Sequence, residues 1–284
     1  MITLDDKKLC FIGGGMMAEA LIRGLIHQRK LKSASIAVLD NGPGDRLNLL
    51  HNKYGIHTVA DTDQIPAAVS SADIIVLAVK PKDAADALKQ YRGSLRKNHV
   101  IVSFVAGLPI DSIAQLVGFS IPIVRTMPNT SSSIGLGATG LSCNEQVSES
   151  DKQLATEIFE SIGIVCEVEE NQLDIVTGVS GSGPAYIYYF VESMIAGGIA
   201  GGLDESTAKQ LTVQTVLGAA EMLRQTGEQP ADLRKKVTSP GGTTQAALEL
   251  MADAGVGEHI TRAVLRAAER ADEMGKEIAM EIID

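Results

Sequence analysis

The chain has no tryptophan, and aromatic residues make up only 4% of its 284 positions, while glycine occurs 28 times. Such a chain fills its interior by close backbone approach and helix packing rather than with large rings. Positive charge is also short. Against 35 acidic residues stand 25 basic ones, for a net charge of −10. Phosphate backbones are held by clustered Lys and Arg, and no cationic patch offsets the deficit, so nucleic acid is excluded as the main partner. The three cysteines, Cys10, Cys143 and Cys166, are odd in number and far apart. They match neither a disulfide framework nor a zinc spacing, and no metal site is expected. Each lies in a hydrophobic stretch and reads as a buried, reduced thiol. Long apolar runs are missing as well. The longest are of strand length, such as Ile74 to Val79, and Ala185 to Leu203 is interrupted by Glu192 and four glycines. No membrane span is expected. Met1 to Leu9 is polar and charged, unlike a signal peptide, so the expected location is cytoplasmic.

What is present is ordinary for a folded chain: 45% hydrophobic and 21% charged residues, enough apolar surface to offset the entropy of ordering. Up to residue 168 short β-rich runs alternate with helical patterns. The runs are Leu9 to Ile12, Ile36 to Leu39, a weaker one at Thr58 to Ala60, Ile74 to Val79, Val100 to Val105, and Ile121 to Val124. Alternation of this kind predicts crossover units and a mostly parallel sheet, and the continuous apolar strands predict cover on both faces. The fold class is therefore α/β, with an N-terminal doubly wound sheet of Rossmann type over residues 1–168. Beyond Val168 long helical patterns take over. Pro184 suits a first helical turn, Gly201 and Gly202 end that helix, and Asp204 is an N-cap for the next, which runs to about Thr226 before Gly227. Further helices begin near Pro230, Thr243 and Gly257. Residues 169–284 thus form an all-helical domain. The stretch Ala185–Leu203 is apolar nearly all round and should be buried on every side, which a small domain cannot achieve alone; a dimer interface is expected there.

Gly13-Gly14-Gly15-Met16-Met17-Ala18 fits G-x-G-x-x-A between a strand and a helix. Gly13 permits the tight turn, Gly15 lets the backbone approach a pyrophosphate, Ala18 lets the helix pack close, and the helix N-terminus attracts the anion. This predicts dinucleotide binding. Asp40 closes the second strand, 22 residues past Ala18. An acid there bonds the ribose 2′-hydroxyl of NAD and repels the 2′-phosphate of NADP; Asn41 and Gly42 follow, and no arginine occurs before Arg46. On this ground the cofactor leans to NAD, although Asp40 also suits a cap for the turn at Gly42-Pro43-Gly44. Ala78-Val79-Lys80-Pro81 and Val105-Ala106-Gly107 end two central strands and so flank the expected nicotinamide position. Lys80 reads equally as a cofactor anchor or a solvated lysine. Farther on, Arg125 to Thr130 leaves a strand and Gly178 to Tyr186 opens the first long helix. Thr238-Ser239-Pro240-Gly241-Gly242-Thr243-Thr244 joins two glycines and several hydroxyls to a helix start. That is what a small carboxylate needs, and also what an elaborate cap would look like.

The segments FIGGGMMAEAL, AVKP, RTMPNT, GVSGSGPAY and VTSPGGTT, in this order and across nearly the whole chain, resemble the pyrroline-5-carboxylate reductases. The resemblance implies a Rossmann domain followed by a helical domain that intertwines with a second copy, in homodimers or larger homo-oligomers. It implies hydride transfer from NADPH or NADH to the C=N carbon of Δ1-pyrroline-5-carboxylate, giving L-proline. By position, Gly13, Gly15, Met16 and Met17 fall in the phosphate turn, and Ala78, Val79, Lys80, Pro81, Ala106 and Gly107 in the cofactor channel. Ser239, Gly242, Thr243 and Thr244 fall in the segment that holds the substrate carboxylate, with Thr244 near the ring nitrogen as the catalytic hydroxyl. Where many members read Ser-Asn-Arg after the second strand, this chain reads Asp40-Asn41-Gly42, which departs from the usual NADP pattern. Lys236 and Ser131 also depart, in places commonly Asn and Pro. A hydroxy-acid dehydrogenase would need a Lys or His base in the long helix, and Ala185–Leu203 has neither. A non-catalytic relative would have lost the VTSPGGTT segment, which is intact. His27, His51, His57, His99 and His259 lie outside every glycine-rich motif and read as structural or surface residues.

Overall fold

The computed structural model describes residues 3–40 and 44–283, with side chains through residue 280. Four-residue apolar runs form its central strands because each side of the run meets a helix layer. In β1 (Leu9–Ile12), Leu9 and Phe11 enter one core with Leu21, Leu25 and Phe159, whereas Cys10 and Ile12 enter the other with Leu88, Ile113 and Ile123. The helix layers are α1 (Met16–His27), α2 (Gly44–Tyr54) and α6 (Glu149–Glu160) on one side. On the other are α3 (Ile65–Ser71), α4 (Pro81–Tyr91) and α5 (Ile110–Val117).

The sheet runs β3-β2-β1-β4-β5-β6-β7-β8, of which the first six places follow the doubly wound dinucleotide-binding order. Here β2 is Ile36–Leu39, β3 His57–Val59, β4 Ile74–Leu77, β5 Val100–Ser103 and β6 Ile123–Met127. Two further strands, β7 (Gly137–Cys143) and β8 (Gly163–Glu167), extend the sheet, with β7 antiparallel to β6. Neither was expected. The β7 run GATGLSC has a single β-branched residue, Thr139, and two glycines, so pairing with β6 and β8 rather than its own propensity makes it a strand.

The helical pattern past Val168 is realised almost residue for residue. A short α7 (Leu173–Val176) and a π-helical turn, Thr177–Gly181, lead to α8 (Gly183–Ala200), with Gly202 at φ +98° behind it. Asp204 caps α9 (Glu205–Thr226), its carboxylate accepting from the Thr207 N–H at 3.0 Å, and Gly227 closes that helix at φ +65°. Then come α10 (Pro230–Lys236), α11 (Thr243–Asp253) and α12 (Val256–Ile283). Among the described residues no helix is long and apolar enough to cross a membrane.

Two compact units emerge: residues to 182 together with those from 266 onward, and residues 183–265. The first extends past residue 168 because Leu173 and Val176 pack over Gly140 of β7, and it regains the end of α12 because Ile278 enters the core beside α4 and α5. In the second unit α8 packs on α9 through Gly198, where a side chain would stand 3.1 Å from the Ala208 Cβ. No residue of α8 is buried within the single chain. Tyr189, for example, is 74% exposed.

The cysteines depart from expectation. Cys10 is buried, Cys143 half-buried and Cys166 exposed, because β8 is the last strand of the sheet and packs only on one side. Burial pushes the Cys10 thiol up to about 12 and the Cys143 thiol to about 11. Neither is a nucleophile at neutral pH.

Candidate active site

Strand register alone assembles a cleft at the carboxyl edge of the sheet. Ile12 of β1 stands level with Leu39 of β2 and Leu77 of β4, and Leu77 with Ser103 of β5. The next residues, Gly13, Asp40 and Ala78, therefore converge at one edge, with Ala106 and Gly107 just past the end of β5. Ligands of open α/β sheets bind beyond this carboxyl edge.

The turn after β1 can be built only with glycine. Gly13 sits at φ +105°, and a Cβ there would lie 2.5 Å from the Ala78 carbonyl oxygen. Its N–H donates to the Leu39 carbonyl at 2.7 Å. Gly15 is the N-cap of α1, no side chain caps that helix, and a Cβ on Gly15 would meet nothing within 4 Å. Free N–H groups of a first helical turn beneath open space make a cradle for a pyrophosphate. Met16 above the turn is 86% exposed, whereas Met17 packs on the core.

Asp40 is half-buried, and its Oδ2 accepts from the Gly14 N–H at 2.8 Å, which ties the acid to the turn. It lines a cleft of about 480 Å³ together with Gly13, Leu39, Val79 and Lys80 and with Asp83 and Asp86 of α4. Among the described lining residues three carboxylates face one lysine. Lys80 is the N-cap of α4 and exposed, and Pro81 is at the start of that helix, where its missing N–H costs nothing. Asn41 lies outside the described residues.

Sequence pattern missed a second layer under the turn. Arg46 of α2 donates to the Gly14 carbonyl at 2.6 Å and the Gly15 carbonyl at 3.2 Å, and pairs with Glu19 of α1 at 2.8 Å. Glu19 also accepts from Lys53 at 2.8 Å and Tyr54 at 2.9 Å. Partial burial alone would raise the Glu19 carboxyl, but the hydrogen bonds from Lys53, Tyr54 and Arg46 outweigh it and bring it to about 2. No motif announces this cluster, because its members are brought together by two helices flanking the turn.

In the RTMPNT segment, three polar side chains are engaged within the fold. Arg125 is buried and pairs with Glu170 at 3.1 Å and Asp174 at 3.6 Å, Thr126 donates to the Ser103 carbonyl, and Asn129 bridges Ala138 and Ser180.

In the second unit, Ser239, Gly242, Thr243 and Thr244 come together at the start of α11. Gly241 takes φ +70° and its N–H donates to Gln245 Oε1 at 2.7 Å; the Gly242 N–H donates to the Ser239 carbonyl at 3.0 Å. A Cβ on Gly242 would stand 2.5 Å from Ser239 Oγ. Gly242 is the N-cap, and no side chain caps the helix. The hydroxyls of this segment are therefore not engaged as a cap, and the first-turn N–H groups are open to an anion. Ser239 and Thr243 are exposed and Thr244 is half-buried. Lys236 is held by an ion pair to Glu228.

Residues 170–274 match the family model for pyrroline-5-carboxylate reductase dimerisation, and residues 8–107 match that for coenzyme F420-dependent NADP oxidoreductase. The chain is 40% identical to pyrroline-5-carboxylate reductase 1 of Bacillus subtilis over 274 residues, covering 96% of this chain and 91% of that protein. Among solved structures it is similar to a pyrroline-5-carboxylate reductase from Coxiella burnetii. The TM-score is 0.87 and identity 37%, over 94% of this chain and 98% of that one. It is also similar to the Plasmodium falciparum pyrroline carboxylate reductase solved with NADP bound. There the TM-score is 0.84 and identity 31%, over 95% of this chain and 99% of that one.

Proposed function

The chain belongs to the pyrroline-5-carboxylate reductase family, and we propose how its own residues carry the reaction and which nicotinamide cofactor it prefers. The activity is NAD(P)H-dependent reduction of Δ1-pyrroline-5-carboxylate to L-proline, the last step of proline synthesis.

The reduced nicotinamide supplies the hydride when bound. The glycine turn holds its pyrophosphate on the N–H groups of Gly15, Met16 and Met17, while Ala78, Val79, Lys80, Pro81, Ala106 and Gly107 line the channel toward the ring. Asp40 accepts from the adenosine ribose hydroxyls, and this makes NAD the preferred cofactor. Three carboxylates in the cleft, Asp40, Asp83 and Asp86, disfavour the doubly charged 2′-phosphate. Arg46, the first arginine after Asp40, is already engaged by two carbonyls and Glu19.

Residues 169–284 are the substrate-binding and dimerisation part, and the working enzyme is a homodimer or a larger homo-oligomer. The apolar α8, exposed along the single chain, supports this.

The substrate carboxylate sits at the start of α11, on Ser239 and the N–H groups of Thr243 and Thr244, with Gly242, its own N–H held by the Ser239 carbonyl, shaping the turn beneath it. Hydride addition to a neutral imine would leave a nitrogen anion, so the nitrogen must carry a proton when its carbon accepts the hydride. A cyclic imine is basic enough to take that proton from water, and the protein supplies position and charge complementarity. Thr244 accepts a hydrogen bond from the N–H of the protonated ring and so fixes the C=N carbon against the hydride donor. The observation that carries this reading is the uncapped α11 N-terminus, framed by a left-handed Gly241 and the Ser239–Gly242 turn.

The test is Thr244→Ala, which is expected to lower kcat about 10- to 1000-fold, the range lost with one well-placed group. Thr244→Ser should retain most of the activity. Unchanged kinetics in the alanine variant would remove the role.

A further inference from the structure

We propose that Gly275 in the last helix is a positioning residue for the nicotinamide end of the cofactor site, acting through the loop Val105–Gly107. The inference rests on the reading that this loop lines the cofactor channel.

Glycine in the middle of a helix costs about 1 kcal/mol relative to alanine, so its presence within the 28-residue α12 calls for a packing reason. The structure supplies one. Ala271, Gly275 and Ile278 fall at i, i+4 and i+7 and are all buried, forming the face of α12 that lies on the first compact unit. Gly275 meets Gly107 backbone to backbone. A Cβ on Gly275 would stand 2.8 Å from the Gly107 carbonyl oxygen, and one on Gly107 would stand 3.2 Å from the Gly275 nitrogen. Neither opposing atom belongs to a rotatable side chain, so a methyl group at 275 must displace the loop or the helix.

Both are anchored. Ile278 is fixed in the core beside α4 and α5. The loop is pinned ahead of Gly107 by the Val105 N–H on Ser103 Oγ at 3.3 Å, and behind it by the Ile110 N–H on Glu170 Oε1 at 2.7 Å. Gly107 itself takes φ +75°, the left-handed conformation that glycine adopts without a Cβ penalty. A push at Gly107 therefore reaches Ala106, its covalent neighbour on the channel side. Hydride transfer is sensitive to such shifts: a misplacement of about 1 Å costs about 100-fold.

The experiment compares full-length wild type with Gly275→Ala and with Ala106→Val, which perturbs the loop directly. Measured are kcat, the KM values for NADH and pyrroline-5-carboxylate, NADH binding stoichiometry, the melting temperature, and the isotope effect with cofactor deuterated at nicotinamide C4. Gly275→Ala is expected to lower kcat about 10- to 100-fold with full binding stoichiometry and a raised isotope effect, since only the transfer step is slowed. Loss of activity in proportion to lost binding sites, with an unchanged isotope effect, would reduce Gly275 to a folding role and overturn the proposal. Wild-type kinetics in Gly275→Ala together with a defective Ala106→Val would overturn the proposal alone. Wild-type behaviour in both would overturn the assignment of the loop as well. If Gly275→Ala does not fold, Ile278→Val loosens the same helix segment without adding bulk. A raised isotope effect there supports the proposal, and an unchanged one overturns it.

Discussion

Asp40→Asn isolates a single charge at the cofactor cleft. The substitution is isosteric, and its amide oxygen still accepts from the Gly14 N–H that holds Oδ2 at 2.8 Å, so the turn geometry is kept. What changes is the interaction with the ribose. A carboxylate about 4 Å from a 2′-phosphate repels it by about 1 kcal/mol per unit charge in water and about 4 kcal/mol at the effective dielectric of a protein surface. The phosphate carries about −1.5 to −2 charges, but the cleft is open to solvent and salt screens it, so a net relief of about 1.5–3 kcal/mol is expected. NADH loses the difference between charged and neutral hydrogen bonds to its hydroxyls, about 1 kcal/mol. The NADPH-to-NADH ratio of kcat/KM should therefore rise about 50- to 1000-fold, since each 1.4 kcal/mol is a factor of ten. The assay is parallel oxidation of NADH and NADPH with pyrroline-5-carboxylate, at low and high ionic strength. The wild-type bias against NADPH should weaken with salt, and that of the variant, which keeps Asp83 and Asp86, should weaken less. A wild-type preference for NADPH, or an unchanged ratio in Asp40→Asn, would refute the placement of this charge at the 2′ position.

Gly13→Ala is expected to abolish NADH binding and lower the melting temperature. Its Cβ would stand 2.5 Å from the Ala78 carbonyl at φ +105°, and a left-handed non-glycine residue costs about 1–3 kcal/mol before any clash; retained nucleotide affinity by titration would disprove the tight-turn argument. Glu19→Gln should destabilise the protein at neutral pH by about 1–3 kcal/mol in a urea titration. The full shift from the usual carboxylate range to about 2 would give a little over 3 kcal/mol, discounted because Lys53 is 54% exposed. The sign follows from linkage. The folded-state carboxyl is depressed, so its contribution is complete above about pH 4.5 and is lost as pH falls toward 2. The variant should therefore show a flatter acid limb between these values, and an unaltered limb would mean that the cluster contributes nothing.

Much of this molecule was legible in its sequence because the physical signals are local. Continuous apolar runs specify two-sided strands, Asp204 and Gly227 mark both ends of α9, and the spacing from Gly13 to Ala18 specifies a turn that only glycine can make. The same locality explains the omissions. Strand β7 has no pattern of its own and exists through its partners, and Cys166 looked buried because its neighbours are apolar, whereas exposure is decided by the strand's place at the edge.

The set of elements, their order, the glycine turn and the segment that opens α11 follow from local patterns, since each depends on residues within a few positions of one another. The distant residues that support them were set by packing. Strand register brought Gly13, Asp40 and Ala78 to one edge. Helix packing set Arg46 and Glu19 beneath the turn, and the return of α12 placed Gly275 against Gly107. These pairs join residues 27 to 168 positions apart in the chain, and a pattern read along the chain carries no distance between elements until their apolar faces have found each other.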